Sequence, residues 1–269
     1  MTDPSPRPAP SAVDRLFGLD DRVAVVTGAS AGLGVELADA LASAGAAVAV
    51  LARRGDRLAK VAAEIAGRHG ARTLAIETDI ADADQATSAF ARIEDELGRV
   101  DVLVNNAGIA PTGRAEKQWP DDWRRTLDVN LSALFHCSLL AAEAMRRTGD
   151  GGRVINISSI FGKVGSSLFR VAAYAASKGG VETLTRQLAV EWAGDGITVN
   201  AIAPAWFASE MTGASIDKDG VRERMGAGCP MDRMGRPGEL ATACLFLASP
   251  ASSYVTGATI PVDGGYTAW

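Results

Sequence analysis

Histidine, cysteine and clustered positive charge are scarce in this chain, and each shortage removes a class of function. The two histidines, His69 and His136, lie 67 residues apart in a chain of 269, so a histidine-built metal site within one chain is not expected. The three cysteines, Cys137, Cys229 and Cys244, are odd in number, widely spaced and without a CxxC pair. They read as reduced structural thiols, not as a disulfide or zinc framework. Basic residues cluster no further than Arg53-Arg54 and Arg146-Arg147, and the net charge is −5. That argues against nucleic acid and anionic membranes as partners. No apolar run approaches the ~18 residues of a membrane span, and the first residues lack the apolar core of a signal peptide. The expected location is cytoplasmic.

The chain is rich in buried-type residues, at 47% hydrophobic, enough for a sizeable core. Residues 1–18 carry Pro4, Pro6, Pro8 and Pro10 without a periodic pattern and read as a flexible Pro-rich tail. Residues 19–269 read as one domain. Within it, β-branched runs alternate with helical periodicity. Strand-like segments fall at 22–27, 46–52, 72–79, 100–108, 153–158, 197–204 and 258–262. Helical ones fall at 32–45, 57–70, 82–98, 121–147, 173–193 and 237–248. Strands apolar on both faces and alternating with helices predict an α/β fold: a doubly wound, Rossmann-like parallel sheet of about seven strands flanked by helices. The long irregular stretch 205–236 reads as a functional lid.

Three patterns carry chemistry. The first turn, TGASAGLG from Thr27 to Gly34, joins the first strand to the first helix of the sheet. Its glycines 28, 32 and 34 permit a tight turn and close approach of a pyrophosphate to backbone N–H groups at a helix N-terminus. The stretch YAASK places Tyr174 and Lys178 one helical turn apart on one face. A phenol titrates near ~10 when isolated, and a neighbouring cation lowers that value. The third pattern is NNAG at 105–108, with Asn130 and the pair Ser158-Ser159 between it and Tyr174.

In this order, these motifs resemble the short-chain dehydrogenase/reductase family, over residues 20 to 269 and including VDGG at 262–265. The resemblance implies a catalytic set of Asn130, Ser159, Tyr174 and Lys178. Tyr174 exchanges the proton at the substrate oxygen, and Lys178 lowers the Tyr pKa and bonds the nicotinamide ribose. Ser159 hydrogen-bonds the carbonyl, and Asn130 holds a water that links Lys178 to solvent. Ser159 is preferred to Ser158 because the family places its serine directly before the apolar pair, here Ile160 and Phe161. Ser158 then lies against the cofactor. The implied cofactor-binding residues are Gly28, Ser30, Ala31, Gly32, Leu33, Gly34, Arg53, Arg54, Asp79, Ile80, Asn106, Ala107, Gly108, Ser158, Tyr174, Lys178, Pro204, Ala205, Phe207 and Ser209. No metal is implied.

Cofactor choice is read at the end of the second strand, where an acid would bond the ribose of NAD and an arginine the 2′-phosphate of NADP. NAD-using relatives tend to carry Asp at the position of Ala52. Arg53 and Arg54 follow, which favours NADP(H). The family's usual basic residue before the second glycine is here Ala31. Two further departures are Pro204-Ala205 where Pro-Gly is usual, and a slightly longer stretch from Ser159 to Tyr174, which concerns the pocket wall at 165–173.

An apolar pocket is expected from Trp206, Phe207, Met211, Met225, Phe161, Leu168, Phe169 and Trp269. Carrier-linked relatives tend to show arginines near the cleft mouth. Asp150 and Asp195 in the turns at 148–152 and 194–196 argue against an acidic carrier and for a free ketone, diketone or secondary alcohol. The expected function is therefore an NADP(H)-dependent oxidoreductase acting on a small carbonyl or alcohol. The alternatives are a 3-oxoacyl-carrier-protein reductase, an NAD-dependent sugar or steroid alcohol dehydrogenase, and a cofactor-binding regulator without turnover. The apolar and small residues of helices 121–147 and 173–193, including Ala175, Ala176, Gly179, Gly180, Val181, Leu184 and Leu188, are expected to pair with their copies. With a second contact through the last strand they give a homotetramer.

Overall fold

The computed structural model describes residues 11–208 and 221–268. Seven strands form one sheet, all in parallel register: β1 (Val23–Thr27), β2 (Ala47–Ala52), β3 (Thr73–Glu77), β4 (Val102–Asn105), β5 (Gly152–Ile157), β6 (Ile197–Pro204) and β7 (Thr259–Val262). Their order is β3-β2-β1-β4-β5-β6-β7. Connections from β1 run one way to β3 and then jump to β4 on the other side. This leaves a crevice beyond the carboxyl ends of β1 and β4, where ligands bind in such sheets.

Helices cover both faces. Before the sheet comes α1 (Ala12–Phe17); within it come α2 (Leu33–Ser43), α3 (Gly55–His69), α4 (Ala83–Leu97), α5 (Asp121–Leu127), α6 (Ala133–Thr148), α7 (Ala172–Trp192), α8 (Val221–Ala227) and α9 (Glu239–Ala248). Central strands are buried at every position, as in β1 and β6, because helices on both faces leave no solvent side. One apolar layer joins α2, α3 and α9 to the sheet. The other joins α4, α6 and α7 to it. Glycines at the ends of α3, α4 and α6 (Gly70, Gly98 and Gly149) take the left-handed conformation that closes each helix.

Three departures from the sequence reading concern local structure. The stretch expected as one helix over 121–147 is interrupted by a π turn, Asp128–Ser132, with Asn130 buried inside it. The segment expected as an aperiodic tail contains α1. There Ser11 and Asp14 form a reciprocal capping box, which holds a helix of six residues that buries nothing. Val181 and Leu188, expected on an assembly face, are buried against this chain's own sheet. The three cysteines are free and buried, and burial alone raises the Cys137 and Cys244 thiols to about 12.

Candidate active site

A cleft of about 520 Å³ opens beyond the carboxyl ends of the strands. Its floor at one end is the first glycine turn. Gly28 has a φ of 68°, and a Cβ there would stand 2.7 Å from Ala107 Cα, so only glycine allows β1 and β4 to approach this closely. Thr27 locks that approach. Its hydroxyl accepts from the N–H groups of Asn106 and Ala107, both at 3.1 Å, and the Asn106 amide donates back to the carbonyls of Thr27 and Gly28. Gly34 lies under the turn, where a Cβ would meet Asn106 Nδ2 at 2.6 Å. Helix α2 starts at Gly32 with no side chain capping it, so its N-terminal N–H groups face the cleft. That is a cradle suited to a pyrophosphate.

Ser30, Ala31, Gly32 and Leu33 line this end, with Arg53 and Arg54 beside them. Arg54 donates through Nε and Nη2 to the Ser30 hydroxyl at 3.2 and 3.1 Å. Asp79 and Ile80 line the next stretch of wall. Asp79 also accepts from Ala81 N–H at 3.1 Å, so the turn-forming role weighed for it and its place in the cleft coexist.

The other end holds the remaining predicted residues. Ser158, Ser159, Tyr174, Lys178, Gly108, Pro204, Ala205 and Phe207 all line the same cleft. The Ser159 hydroxyl hydrogen-bonds Tyr174, and Lys178 Nζ stands 5.6 Å from the Tyr174 ring centroid. Ser158 points elsewhere: its hydroxyl faces the Lys178 carbonyl and Glu182 Oε1, at 3.3 and 3.2 Å. Lys178 is buried and donates to the Ile157 carbonyl at 2.6 Å. Asn130 does not line the cleft. Its amide accepts from Ile109 N–H and donates to the Ile109 carbonyl and the Ser177 hydroxyl, at 2.8, 2.9 and 3.0 Å.

Electrostatics in the free protein differ from the simple expectation of a lowered phenol. Although Tyr174 is only partly buried by area, the protein packed around it removes water and raises its pKa. The bond from Ser159 works against that rise. Burial lowers Lys178 to about 8. Desolvation disfavours the charged form of each group.

Three further expectations need correction or completion. Ala205 has no left-handed backbone, since among the described residues only Asp21 and Asp232 are non-glycines with positive φ; replacing the usual glycine causes no strain there. Asp150 and Asp195 precede β5 and β6, so they lie at the amino edge of the sheet, opposite the cleft of their own chain. Each is also paired, with Arg99 and Arg146. They carry no argument about a carrier. Ser209, Met211 and Trp269 lie outside the described residues.

Phe161, Phe169, Trp206, Phe207 and Met225 do line the cleft, and Trp206 meets Phe161, Phe169 and Tyr266 at ring distances of 5.5, 5.4 and 6.2 Å. Leu168 is exposed and not part of it. Sequence reasoning missed Thr27 as the β1–β4 lock and the lining residues Ile109, Thr112 and Val171. Thr27 opens the glycine motif and was legible there; the others sit in aperiodic loops.

Among the described residues no helix is long and apolar enough to cross a membrane. A family model described as "Enoyl-(Acyl carrier protein) reductase" matches residues 28–267. The chain is 41% identical over 254 residues to galactitol 2-dehydrogenase (L-tagatose-forming) of Cereibacter sphaeroides, covering 94% of this chain and 98% of that protein. It is 37% identical over 259 residues to D-threitol dehydrogenase of Mycolicibacterium smegmatis, covering 95% and 96%. Among solved structures it resembles a gluconate 5-dehydrogenase from Burkholderia cenocepacia in complex with NADP and tartrate, with TM-score 0.91 and 36% identity, covering 96% of this chain and 100% of that one. Motifs, sheet order and relatedness along nearly the whole length agree: the chain belongs to the short-chain dehydrogenase/reductase family of oxidoreductases.

Proposed function

We propose that this protein is an NADP(H)-dependent ketoreductase or secondary-alcohol dehydrogenase acting on a small, free substrate. The observation that carries this reading is the meeting of Ser159, Tyr174 and Lys178 at one end of the cleft whose other end holds the glycine turn and Arg53-Arg54. The cradle residues fit a dinucleotide: uncapped N–H groups for its pyrophosphate, and guanidinium groups near β2 for a 2′-phosphate. When bound, the nicotinamide supplies or accepts the hydride.

The chain's own residues do the rest. Tyr174, kept protonated by its surroundings, gives its proton to the substrate oxygen during reduction and takes it back during oxidation. Ser159 donates to the same oxygen and holds the phenol in place. Lys178, fixed by the Ile157 carbonyl, presents its remaining donors toward the ribose side. Because the Asn130 amide is fully engaged with Ile109 and Ser177, any water beside Lys178 is held by the Asn130 backbone, with the side chain fixing the π turn. The aromatic wall at Phe161, Phe169 and Trp206 limits the substrate to what can lie against flat apolar faces.

The assembly is a homotetramer. Phe135 and Leu139 on α6 and Val190 on α7 are exposed apolar side chains, and they offer the faces that copies would cover. We place the protein in the cytoplasm, with 19–269 as one catalytic domain and 205–236 as its lid. The decisive experiment follows NADPH and NADH consumption at 340 nm against a panel of ketones, sugar ketones and a 3-oxoacyl thioester, with secondary alcohols and polyols in the reverse direction. No turnover with any compound and either cofactor would sink the reading.

A further inference from the structure

Helix α7 carries Tyr174 in its first turn, yet it begins without a capping side chain of its own. Val171 stands at its N-cap and makes no side-chain bond. A helix start leaves its first N–H groups without intrahelical partners, and a polar N-cap residue normally satisfies one of them. Here the acceptor comes from 55 residues away: Gln118 Oε1 accepts from Ala173 N–H at 3.0 Å.

The rest of the same side chain is equally engaged. Gln118 is 2% exposed, and its Nε2 donates to the carbonyls of Gly113 and Arg170 at 2.8 and 3.1 Å. Two carbonyls that only accept and one N–H that only donates fix the orientation of the amide. Gly113 N–H donates in turn to the Arg170 carbonyl at 2.9 Å. The loop after β4 and the loop entering α7 are thereby joined through one buried amide. Both loops wall the cleft, through Ile109 and Thr112 on one side and Phe169 and Val171 on the other.

We propose that Gln118 is a positioning residue for the proton-transfer site. Its oxygen caps α7 in place of Val171 and fixes Tyr174, the next residue after Ala173, against Ser159. Its nitrogen holds the two loops at the spacing the substrate meets. The inference rests on Tyr174 being the proton donor. A reacting group displaced by about 1 Å loses on the order of 10²-fold in rate, so a frayed first turn is felt in turnover before it is felt in cofactor binding.

Two variants of the full chain separate the two halves of the amide. Gln118→Met keeps the bulk and removes every polar contact. Gln118→Glu keeps the oxygen facing Ala173 and replaces the donor half with a group that, ionised, repels two carbonyl oxygens and, protonated, can donate to one. Amide hydrogen exchange on the protein, with and without NADPH, reads the contacts without any substrate. Gln118→Met should lose protection at Ala173 and in 109–117. Gln118→Glu should keep it at Ala173 and lose it in the loops.

Kinetics use the panel compound that the unaltered protein turns over fastest. Gln118→Met should lower kcat by roughly 10²-fold with the NADPH dissociation constant within a few-fold of the parent. Gln118→Glu should lose less kcat but show a KM that rises with pH, which the parent does not. Native protection at Ala173 in Gln118→Met, or a near-native kcat despite lost protection, overturns the inference. Should Gln118→Met fail to fold, equal loss of protection at Ala173 and in the loops of Gln118→Glu overturns it as well. The reading beneath it is judged separately: if Tyr174→Phe keeps its turnover, the proton-donor assignment itself falls.

Discussion

Arg54 is tied to Ser30 across the mouth of the cleft, with two guanidinium nitrogens on one hydroxyl at 3.1 and 3.2 Å. The residue after β2 is thus held against the glycine turn before any ligand arrives. A guanidinium oriented in advance gives up less freedom when a phosphate binds.

Arg53→Ala with Arg54→Ala should therefore raise the KM for NADPH and leave that for NADH nearly unchanged. Loss of a charge-assisted contact is worth about 1.5–3 kcal/mol, or roughly a ten- to hundredfold change. Steady-state kinetics with both cofactors decide it. A parent enzyme that prefers NADH would contradict the assignment.

Tyr174→Phe removes the hydroxyl that Ser159 bonds and should lower kcat by roughly 10²–10⁴-fold. NADPH binding, followed by fluorescence, should persist, because the glycine turn and the arginines are untouched. Near-native turnover in this variant would leave the mechanism without its acid.

Lys178 gives a pH signature in the free protein. Its pKa is lowered to about 8 by burial, from an ordinary 10.5. The unfolded chain therefore binds more protons between those values, and this group's contribution makes stability rise with pH across that window. The burial cost is fully present below about 8 and fades toward 10.5. Lys178→Met abolishes the dependence, so its stability relative to the parent should be higher at pH 7 than at pH 10 by about 1–3 kcal/mol. Urea unfolding at the two pH values checks this, and a gap that does not change with pH refutes it.

Light scattering at micromolar concentration should report the mass of four 27.8 kDa chains. Phe135→Glu with Val190→Glu should shift that mass downward, since both side chains are exposed on one protomer and a buried unpaired charge is costly at an interface. A monomeric parent protein would rule out the tetramer.

The sheet was legible because each of its strands is a short apolar run and many of its helices end on a glycine. The catalytic residues were legible because Tyr174 and Lys178 sit at a helical spacing and the glycine turn is a local pattern. What stayed hidden was the long-range polar wiring. Gln118 is a single amide in an aperiodic loop, and nothing nearby in sequence signals its partners at Ala173 and Arg170. The π turn at Asp128–Ser132 was hidden for a related reason: its residues have ordinary helical composition, and the break lies in the hydrogen-bond spacing. Asp150 and Asp195 show the opposite error. Their charge was plain in the sequence, but which edge of the sheet a turn occupies follows only from strand direction.

The π turn also sets the rotational phase of everything that follows it. Each helical residue advances the chain by about 100°, and a π turn holds about one residue more than an α turn. With that residue in place, α5 packs on α7 while α6 packs on α4, β4 and β5. Deleting any one residue of 128–132 would restore a regular helix and swing Leu134, Cys137 and Ala141, all buried, away from the sheet by about a quarter turn. The length of this stretch is therefore fixed as strictly as its composition is free, whereas a residue inserted beside Gly149, past the end of α6, would rotate nothing.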